Sequence, residues 1–393
     1  MRTADAAYAD LCSRGRALEA PDRVGFVTAG GREGQLRSSG LRPGWTTGAC
    51  ATAAATAAWE ALHTGEFPDP VRVALPNGQG PAFALTQEEL GDGVAMAAVQ
   101  KDAGDDPDVT HGAVIRARVW RGAPGSGLDF RGGPGVGRVT LPGLPLAVGE
   151  PAINPGPRRY LAENLSRASA RLGVAADAVV EISVDGGEEL ARRTWNPRIG
   201  IVGGISILGT TGVVVPYSCS AWIDSIRRGV DVARAAGLMH LAGCTGSTSE
   251  RVAAELFGLP ELALLDMGDF VGAVLKYVSR HPVDRLTLVG GFAKLSKLAA
   301  GHLDLHSHRT AVDTTHLAEL ATSAGASPEL AEEVRSSNTA MGALQSCHAA
   351  GVPLGDTVAA AARAEAEGVL RGAPVSVDVV CIDRAGAVVG TAR

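Results

Sequence analysis

Three things are scarce in this chain of 393 residues, and each scarcity removes a class of function. Aromatic side chains make up only 4% of it, too few for the stacking platforms that bind single-stranded nucleic acid. Positive charge is not in excess: 36 Lys and Arg stand against 42 Asp and Glu, a formal charge of -6, whereas nucleic-acid binding needs a basic field. The cysteines, Cys12, Cys50, Cys219, Cys244, Cys347 and Cys381, are dispersed, and none stands in a C-x-x-C pair. Neither a zinc ribbon nor a dithiol redox centre is therefore indicated. Single scattered cysteines suit a reducing compartment, and the chain is read as soluble and cytoplasmic. No run approaches the roughly 18 apolar residues of a membrane span. Residues 1–30 carry charges every few positions and no apolar core, so no secretory leader is expected. The G-x-G-x-x-G dinucleotide fingerprint is also missing.

Glycine is plentiful, 51 residues with 21 proline alongside, in a chain that is 46% apolar. Such a chain can bury a core, and glycine-rich connections serve an enzyme where backbone must approach a ligand. A mixed α/β and α+β chain of two domains is expected. Residues 1–39 are polar and weakly periodic, an N-terminal extension. Residues 40–195 read as an α+β substrate-binding domain. LRPGWTTGACATAAATAAWEAL opens it with a helix capped by Thr46 or Thr47 and built on an alanine run. Strands are predicted at Val71–Leu75, Gly112–Trp120 and Ala178–Val184, with a helix from Tyr160.

Past Trp195, where the domain boundary is placed, the rhythm changes. A strand at Ile199–Gly204 and a helix at Ala221–Ala236 lead into LMHLAG, RVAAELFG, LALLDMG, VGAVLKYVSRH, RLTLVGG and AKLSKLAAG, alternately strand and helix. That alternation over residues 196–393 predicts a Rossmann-like domain with a mostly parallel sheet and ligands at strand carboxyl ends. A helical insert at Thr314–Ala350 and a strand at Val375–Asp383 complete it.

Several stretches invite a functional reading beside a plain one. KDAGDDPDVTHG crowds Asp102, Asp105, Asp106 and Asp108 ahead of His111. It is a solvated turn, since Asp, Gly and Pro make turns, or else a site: a base, a cation clamp or a frame for amides. GGISILGTTG is expected to follow the first parallel strand. Its Gly203, Gly204, Gly209, Thr210 and Thr211 would let amides reach an anionic or nucleotide-like ligand, unless the stretch is a structural turn. In CTGSTSE the serines and threonine read as helix caps. Asp266 ends a strand, where it caps or takes a ribose diol. GHLDLHSHR gathers His302, Asp304, His306 and His308 for a metal, a substrate carboxylate or plain surface. The helix start at Gly44–Gly48, beside Arg42, is an anion site or an ordinary cap, and its alanines would admit a large flat ligand. Arg158 and Arg159 clamp carboxylates or lie solvated.

LRPGWTTGACATAAA, KDAGDDPDVTHG, GGPGVGRVTLPGLPLAVGEPAINPGPR, NPRIGIVGGISILGTTG and KLSKLAAGHLDLHS occur in this order between Leu41 and Ser307. Together they resemble the cobalt-precorrin-5B C(1)-methyltransferase family, the CbiD proteins of cobalamin biosynthesis. The resemblance does not reach the first forty residues. It implies transfer of a methyl group from S-adenosylmethionine to ring carbon C1 of cobalt-precorrin-5B, giving cobalt-precorrin-6A. Cobalt then arrives with the substrate, so no protein metal ligands are expected. The implied partners are the corrinoid, other enzymes of the pathway and a second copy of the chain, with no nucleic acid or membrane. A flat tetrapyrrole with acetate and propionate arms would be held by Arg42, Thr46, Thr47, Lys101, Arg158, Arg159, His302 and His306. The donor would lie on Gly203, Gly204, Gly209, Thr210, Thr211 and Asp266. Asp105, Asp106 or His111 would take the proton that the methylated ring sheds. The remaining aspartates would turn inward, capping amides or pairing with Arg and Lys. A non-catalytic corrinoid carrier and a nicotinamide-dependent reductase are the competing readings. The glycine-rich parallel domain weighs against the first and the missing fingerprint against the second.

Overall fold

The computed structural model describes residues 40–307 and 309–393; the extension at residues 1–39 and His308 lie outside them. Helix α1 (Thr47–Thr64) forms where the sequence supplies a cap and an alanine run. Thr46, in extended backbone, accepts from the Ala49 amide at 3.2 Å, and Gly65 closes the far end in a left-handed turn. Every residue from Thr46 to Trp59 is buried. A helix covered all round sits inside the fold, and alanine lets its neighbours come near as backbone.

Those neighbours are helix α2 (Pro155–Leu172) and one face of a five-stranded sheet. The strands are β1 (Gln87–Gly91), β2 (Val94–Gln100), β3 (Val114–Arg121), β4 (Leu128–Gly132) and β5 (Ala178–Val184), in the order β1-β2-β3-β5-β4. All pair antiparallel except β5 with β4. Ala95, Ala97 and Val99 of β2 and Ile115, Ala117 and Val119 of β3 alternate onto the α1 side, as period-two strands require. Trp59 Nε1 donates to Ser169 Oγ at 2.8 Å and ties α1 to α2. The strand expected to run to Leu75 ends at Arg72. Beyond it the Asn164 amide takes the backbone N–H and C=O of Ala74, at 2.8 and 2.9 Å.

The strand expected at Ile199–Gly204 does not open the parallel sheet. Ile201–Val202 pairs with Arg138–Val139, Gly204–Ile205 with Gly135–Val136, and Val213–Val214 with Gly44–Trp45. The chain accordingly divides between Ser218 and Cys219 rather than near Trp195. The physical reason is glycine on glycine: a Cβ on Gly204 would lie 2.3 Å from the Gly135 backbone, an approach only two bare backbones can make.

The second unit runs α3 (Cys219–Ala235), β6 (His240–Cys244), α4 (Ser247–Phe257), β7 (Leu264–Asp266), α5 (Val271–Val278), β8 (Arg285–Gly291) and α6 (Phe292–Ala299). Then follow α7 (Thr314–Ser323), α8 (Pro328–Ser336), α9 (Ala340–Ala349), α10 (Leu354–Leu370), β9 (Ser376–Ile382) and β10 (Val388–Ala392). The sheet order is β7-β6-β8-β9-β10, parallel throughout except for β10. Leu286 to Gly290 are all buried, the continuous apolar run of a strand covered on both faces. Among the described residues no helix is long and apolar enough to cross a membrane.

Enlarging the buried face of α1 tests this arrangement. Ala54→Leu should lower stability by about 1–3 kcal/mol, seen as a lower urea midpoint. Ala175→Leu, on an exposed position, should change it by no more than about 0.5 kcal/mol.

Candidate functional site

The loop between β2 and β3 carries the acidic stretch, and the strand entering α1 lies directly on it. Trp45 N donates to Asp102 O at 2.7 Å, and a Cβ on Gly44 would sit 1.9 Å from the Ala103 carbonyl carbon. All four carboxylates have partners. The Arg42 guanidinium grips Asp102 with two nitrogens, Nη2 to Oδ1 at 2.9 Å, while the Gly104 amide donates to the same oxygen at 2.9 Å. Asp105 Oδ2 accepts from the Arg42 amide at 2.6 Å. Asp108 Oδ2 accepts from Lys101 Nζ at 2.7 Å, and its Oδ1 accepts from both the amide and the hydroxyl of Thr110 at 2.7 Å. Asp106 Oδ1 accepts from the Tyr217 amide at 2.8 Å.

The electrostatics separate these acids. The Arg42 hydrogen bond, with that of Gly104, holds Asp102 down at about 2. At Asp108 burial pushes upward, but the Lys101 charge and its hydrogen bonds outweigh it, and the net shift is down. Asp106 goes the other way, raised by burial that its one backbone hydrogen bond does not offset. It has no cation partner, and its Oδ2 makes no hydrogen bond among the described residues. His111 is exposed, and its Nδ1 accepts from the Ala103 amide at 3.1 Å. In the neutral ring that bond places the hydrogen on Nε2, so the ring's free edge donates. Burial pushes the Cys50 thiol up to about 12, which removes it as a nucleophile.

Three expected ligand contacts are occupied by the protein itself. Lys101 is 2% exposed and committed to Asp108. Thr46 and Thr47 are buried under segment 206–212. Thr46 N donates to Gly212 O at 3.0 Å, Gly48 N to Leu208 O at 3.0 Å, and Thr47 Oγ1 accepts from Leu208 N at 2.9 Å. The helix start is therefore closed by chain rather than open to an anion. The alanines admit strands and α2, not a flat ligand.

The closing segment is the glycine-rich stretch itself. A Cβ on Gly209, whose φ is +118, would strike the Thr46 side chain at 2.3 Å, and the Tyr160 hydroxyl donates to Gly209 O at 3.0 Å. Gly204 and Gly209 thus answer to internal packing. Thr211 hydrogen-bonds across its own turn to Val213, while Gly203 and Thr210 stand at the surface. Arg158 is also turned inward, its Nε on Ile153 O at 2.8 Å and Nη2 on Glu150 at 3.1 Å. Arg159 is exposed and makes no ion pair among the described residues. Arg42, Asp105, His111 and Arg159, with Gly203 and Thr210, remain the exposed members of the expected set in this unit.

In the second unit, Asp266 ends β7, and its carboxylate accepts from the Gly268 amide at 3.2 Å. His302 is exposed and His306 partly buried, and the His306 amide donates to Asp304, which pairs with Arg309 at 2.8 Å. Among the described residues no three His, Cys, Asp or Glu form a metal-holding group. Nothing in the sequence pattern marked Lys297. It is 5% exposed, donates to Leu305 O at 2.8 Å, and has no carboxylate in ion-pair reach among the described residues. Burial pushes its ammonium below the ordinary lysine range. Lys294, three residues earlier, bridges Asp269 Oδ1 at 3.1 Å and Thr245 O at 3.2 Å.

A family model described as CbiD matches residues 34–216, and a second, described as the CbiD C-terminal domain, matches residues 304–393. The cobalt-precorrin-5B C(1)-methyltransferase of Paramagnetospirillum magneticum is 60% identical over 353 residues, covering 90% of this chain and 98% of that protein. The protein of the same name from Brucella anthropi is 58% identical over 346 residues, 88% of this chain and 94% of its own. A crystal structure of the cobalamin biosynthesis protein CbiD from Archaeoglobus fulgidus is 31% identical, covers 68% of this chain and 83% of its own, and superposes with a TM-score of 0.37.

Two stability measurements test the acidic loop. Asp108→Ala strands a buried ammonium and should cost about 3 kcal/mol. Lys101→Met should cost less, because the Asp108 carboxylate keeps both bonds from Thr110. The pH dependence has a definite sign. Asp102 and Asp108 have folded values below the unfolded one. Their stabilisation is therefore complete above the unfolded carboxyl pKa near ~4 and is lost as pH falls through the folded values. Asp106, shifted upward, contributes with the opposite sign. Urea midpoints should decline between about pH 4 and pH 2, and Asp102→Asn should flatten that decline.

Proposed function

The chain belongs to the CbiD family, and from that premise we propose that it methylates C1 of cobalt-precorrin-5B with S-adenosylmethionine as donor. The observation that carries this is identity of 60% across 90% of the chain to a protein named for that reaction. When bound, the donor supplies a sulfonium methyl: the C1–CH3 bond forms as the S–CH3 bond breaks, S-adenosylhomocysteine leaves, and the methylated ring releases a proton. In this reading the enzyme acts in the cytoplasm, cobalt comes with the corrinoid, and the second unit is Rossmann-like.

The protein's part is mostly positioning, because in-line attack depends on distance and angle more than on covalent help. Arg42 and Arg159, exposed on the first unit, fit carboxylate arms; Asp102 holds the Arg42 fork in a fixed orientation. His111 offers an N–H donor. The proton passes to Asp106, whose carboxyl is raised toward the working range of a base while its Oδ2 stays available. Asp105, which also gives one oxygen to a backbone amide, is the weaker candidate because it stands exposed to water while Asp106 is partly buried.

The test is incubation of cobalt-precorrin-5B with donor carrying a 13C methyl, followed by carbon NMR. A single labelled methyl at C1 is the expected result; binding without label would favour the carrier. Asp106→Asn retains an acceptor for the Tyr217 amide, so it should fold normally yet turn over about a hundredfold more slowly. Asp105→Asn should have the smaller effect on kcat.

A further inference from the structure

We infer that the crevice at the carboxyl ends of β6 and β8 in the second unit binds the methyl donor, taking its nucleoside beside Asp266 and its amino-acid carboxylate on the Lys294–Lys297 face of α6. The inference rests on the methyltransferase reading above and places its donor.

Topology comes first. β6 and β8 are neighbours, yet the helices that follow them cover opposite faces of the sheet. Val252 and Ala253 of α4 pack with Ala242, Val289 and Val380, whereas Phe292, Leu295 and Leu298 of α6 pack with Leu241, Leu286 and Val379. A parallel sheet opens a crevice where its crossovers part in this way, and ligands of open α/β sheets bind there. Asp266 ends the adjacent strand β7, about twenty residues past the first turn, the place from which an acid reaches a ribose diol in such sheets.

Space comes second. Side chains added at Gly246, in the turn after β6 with φ +155, and at Gly291, the last residue of β8, would meet nothing within 4 Å. Gly291 has φ -58 and ψ 139, a conformation open to any L residue, so the fold itself does not demand glycine there. In the glycine-rich stretch of the first unit, Gly204 and Gly209 are filled by the Gly135 backbone and the Thr46 side chain, and Gly203, though open above, has a left-handed φ of +84 that the fold itself reserves for glycine.

The third observation is Lys297. A buried ammonium ordinarily holds a carboxylate, because an uncompensated charge away from water is costly. This one is 5% exposed and donates to a single backbone carbonyl, leaving two N–H donors open among the described residues. Its acceptor residue, Leu305, donates its own amide to Asp269 O at 2.9 Å, and Asp269 pairs with Lys294. Lys294 and Lys297 lie one turn apart on the same side of α6. Through Thr245 O, Lys294 reaches the end of β6. A carboxylate fits the open donors.

The experiment is calorimetric titration of the full chain with S-adenosylhomocysteine, which reads binding without turnover. Gly291→Val and Lys297→Met should each weaken binding at least about tenfold, and Gly291→Val should leave the Tm essentially unchanged. A purely structural Lys297 predicts unaltered affinity for Lys297→Met, which would overturn the placing of the carboxylate on α6. If the wild type binds and both variants bind equally well, the donor site is elsewhere and this inference is overturned, while the methyltransferase reading stands. Loss of binding in Thr210→Val with Gly291→Val unaffected would move the donor to the first unit, with the same consequence. A wild-type chain that binds neither S-adenosylhomocysteine nor S-adenosylmethionine overturns both.

Discussion

The burial of α1 on every side is the constraint from which the first unit follows. A helix covered all round can carry only what its surroundings leave room for, and from Ala49 to Ala58 that is alanine, threonine and one cysteine. Alanine brings little apolar area of its own, so the unit gains cohesion by drawing backbone close. β2 and β3 answer with Ala95, Ala97 and Ala117 on the facing side. The start of the helix follows the same rule: Gly44 lies on Ala103, Gly48 under Tyr160 and Gly209 on Thr46. A helix end buried this deeply must have its amides satisfied by chain, and segment 206–212 supplies the acceptors.

That closure explains the acidic loop. The chain reaches α1 across residues 101–112, and its turns need acceptors for amides in places where no sheet partner exists. Aspartate provides them at Gly104, Thr110, Arg42 and Tyr217. Four neighbouring carboxylates repel one another, and the repulsion is relieved by placing Arg42 against Asp102 and the buried Lys101 against Asp108. Asp105 and Asp106 receive no ion pair; Asp105 stays exposed, whereas Asp106 is partly buried, and that burial displaces it upward. The reactive candidate is thus the residue left over after the loop's own requirements are met.

Regular elements with strong periodicity were legible from sequence. AVVEISV and RLTLVGG form strands over the residues their patterns indicate, and the alternation from Leu238 onward becomes a mostly parallel sheet. IGIVGG misled because a short apolar run ending in glycine looks the same whether it joins a sheet or pairs in two-residue pieces with a distant glycine turn. The choice depends on Gly135, more than sixty residues earlier. Burial of charge was equally invisible. Lys101 beside an acidic loop looks like a solvated cation, and KLSK on a helix looks like surface, yet Lys101 and Lys297 are both interior. Local spacing carries no information about which face of an element a remote segment will cover.

The glycine-rich stretches divide on one physical criterion. A glycine serves the fold when a side chain there would collide or when its φ is left-handed, and Gly204 and Gly209 meet that description. It serves a ligand when the backbone is ordinary and the space above it is empty. Gly291 is of the second kind, and it stands at the carboxyl end of the strand from which α6 carries Lys294 and then Lys297. The sequence presents both kinds as similar runs of glycine with threonine or lysine nearby. The distance from each absent Cβ to its nearest neighbour, taken with φ, separates close packing from an opening: Gly204 and Gly209 collide, Gly203 is left-handed, and Gly291 at the end of RLTLVGG is neither.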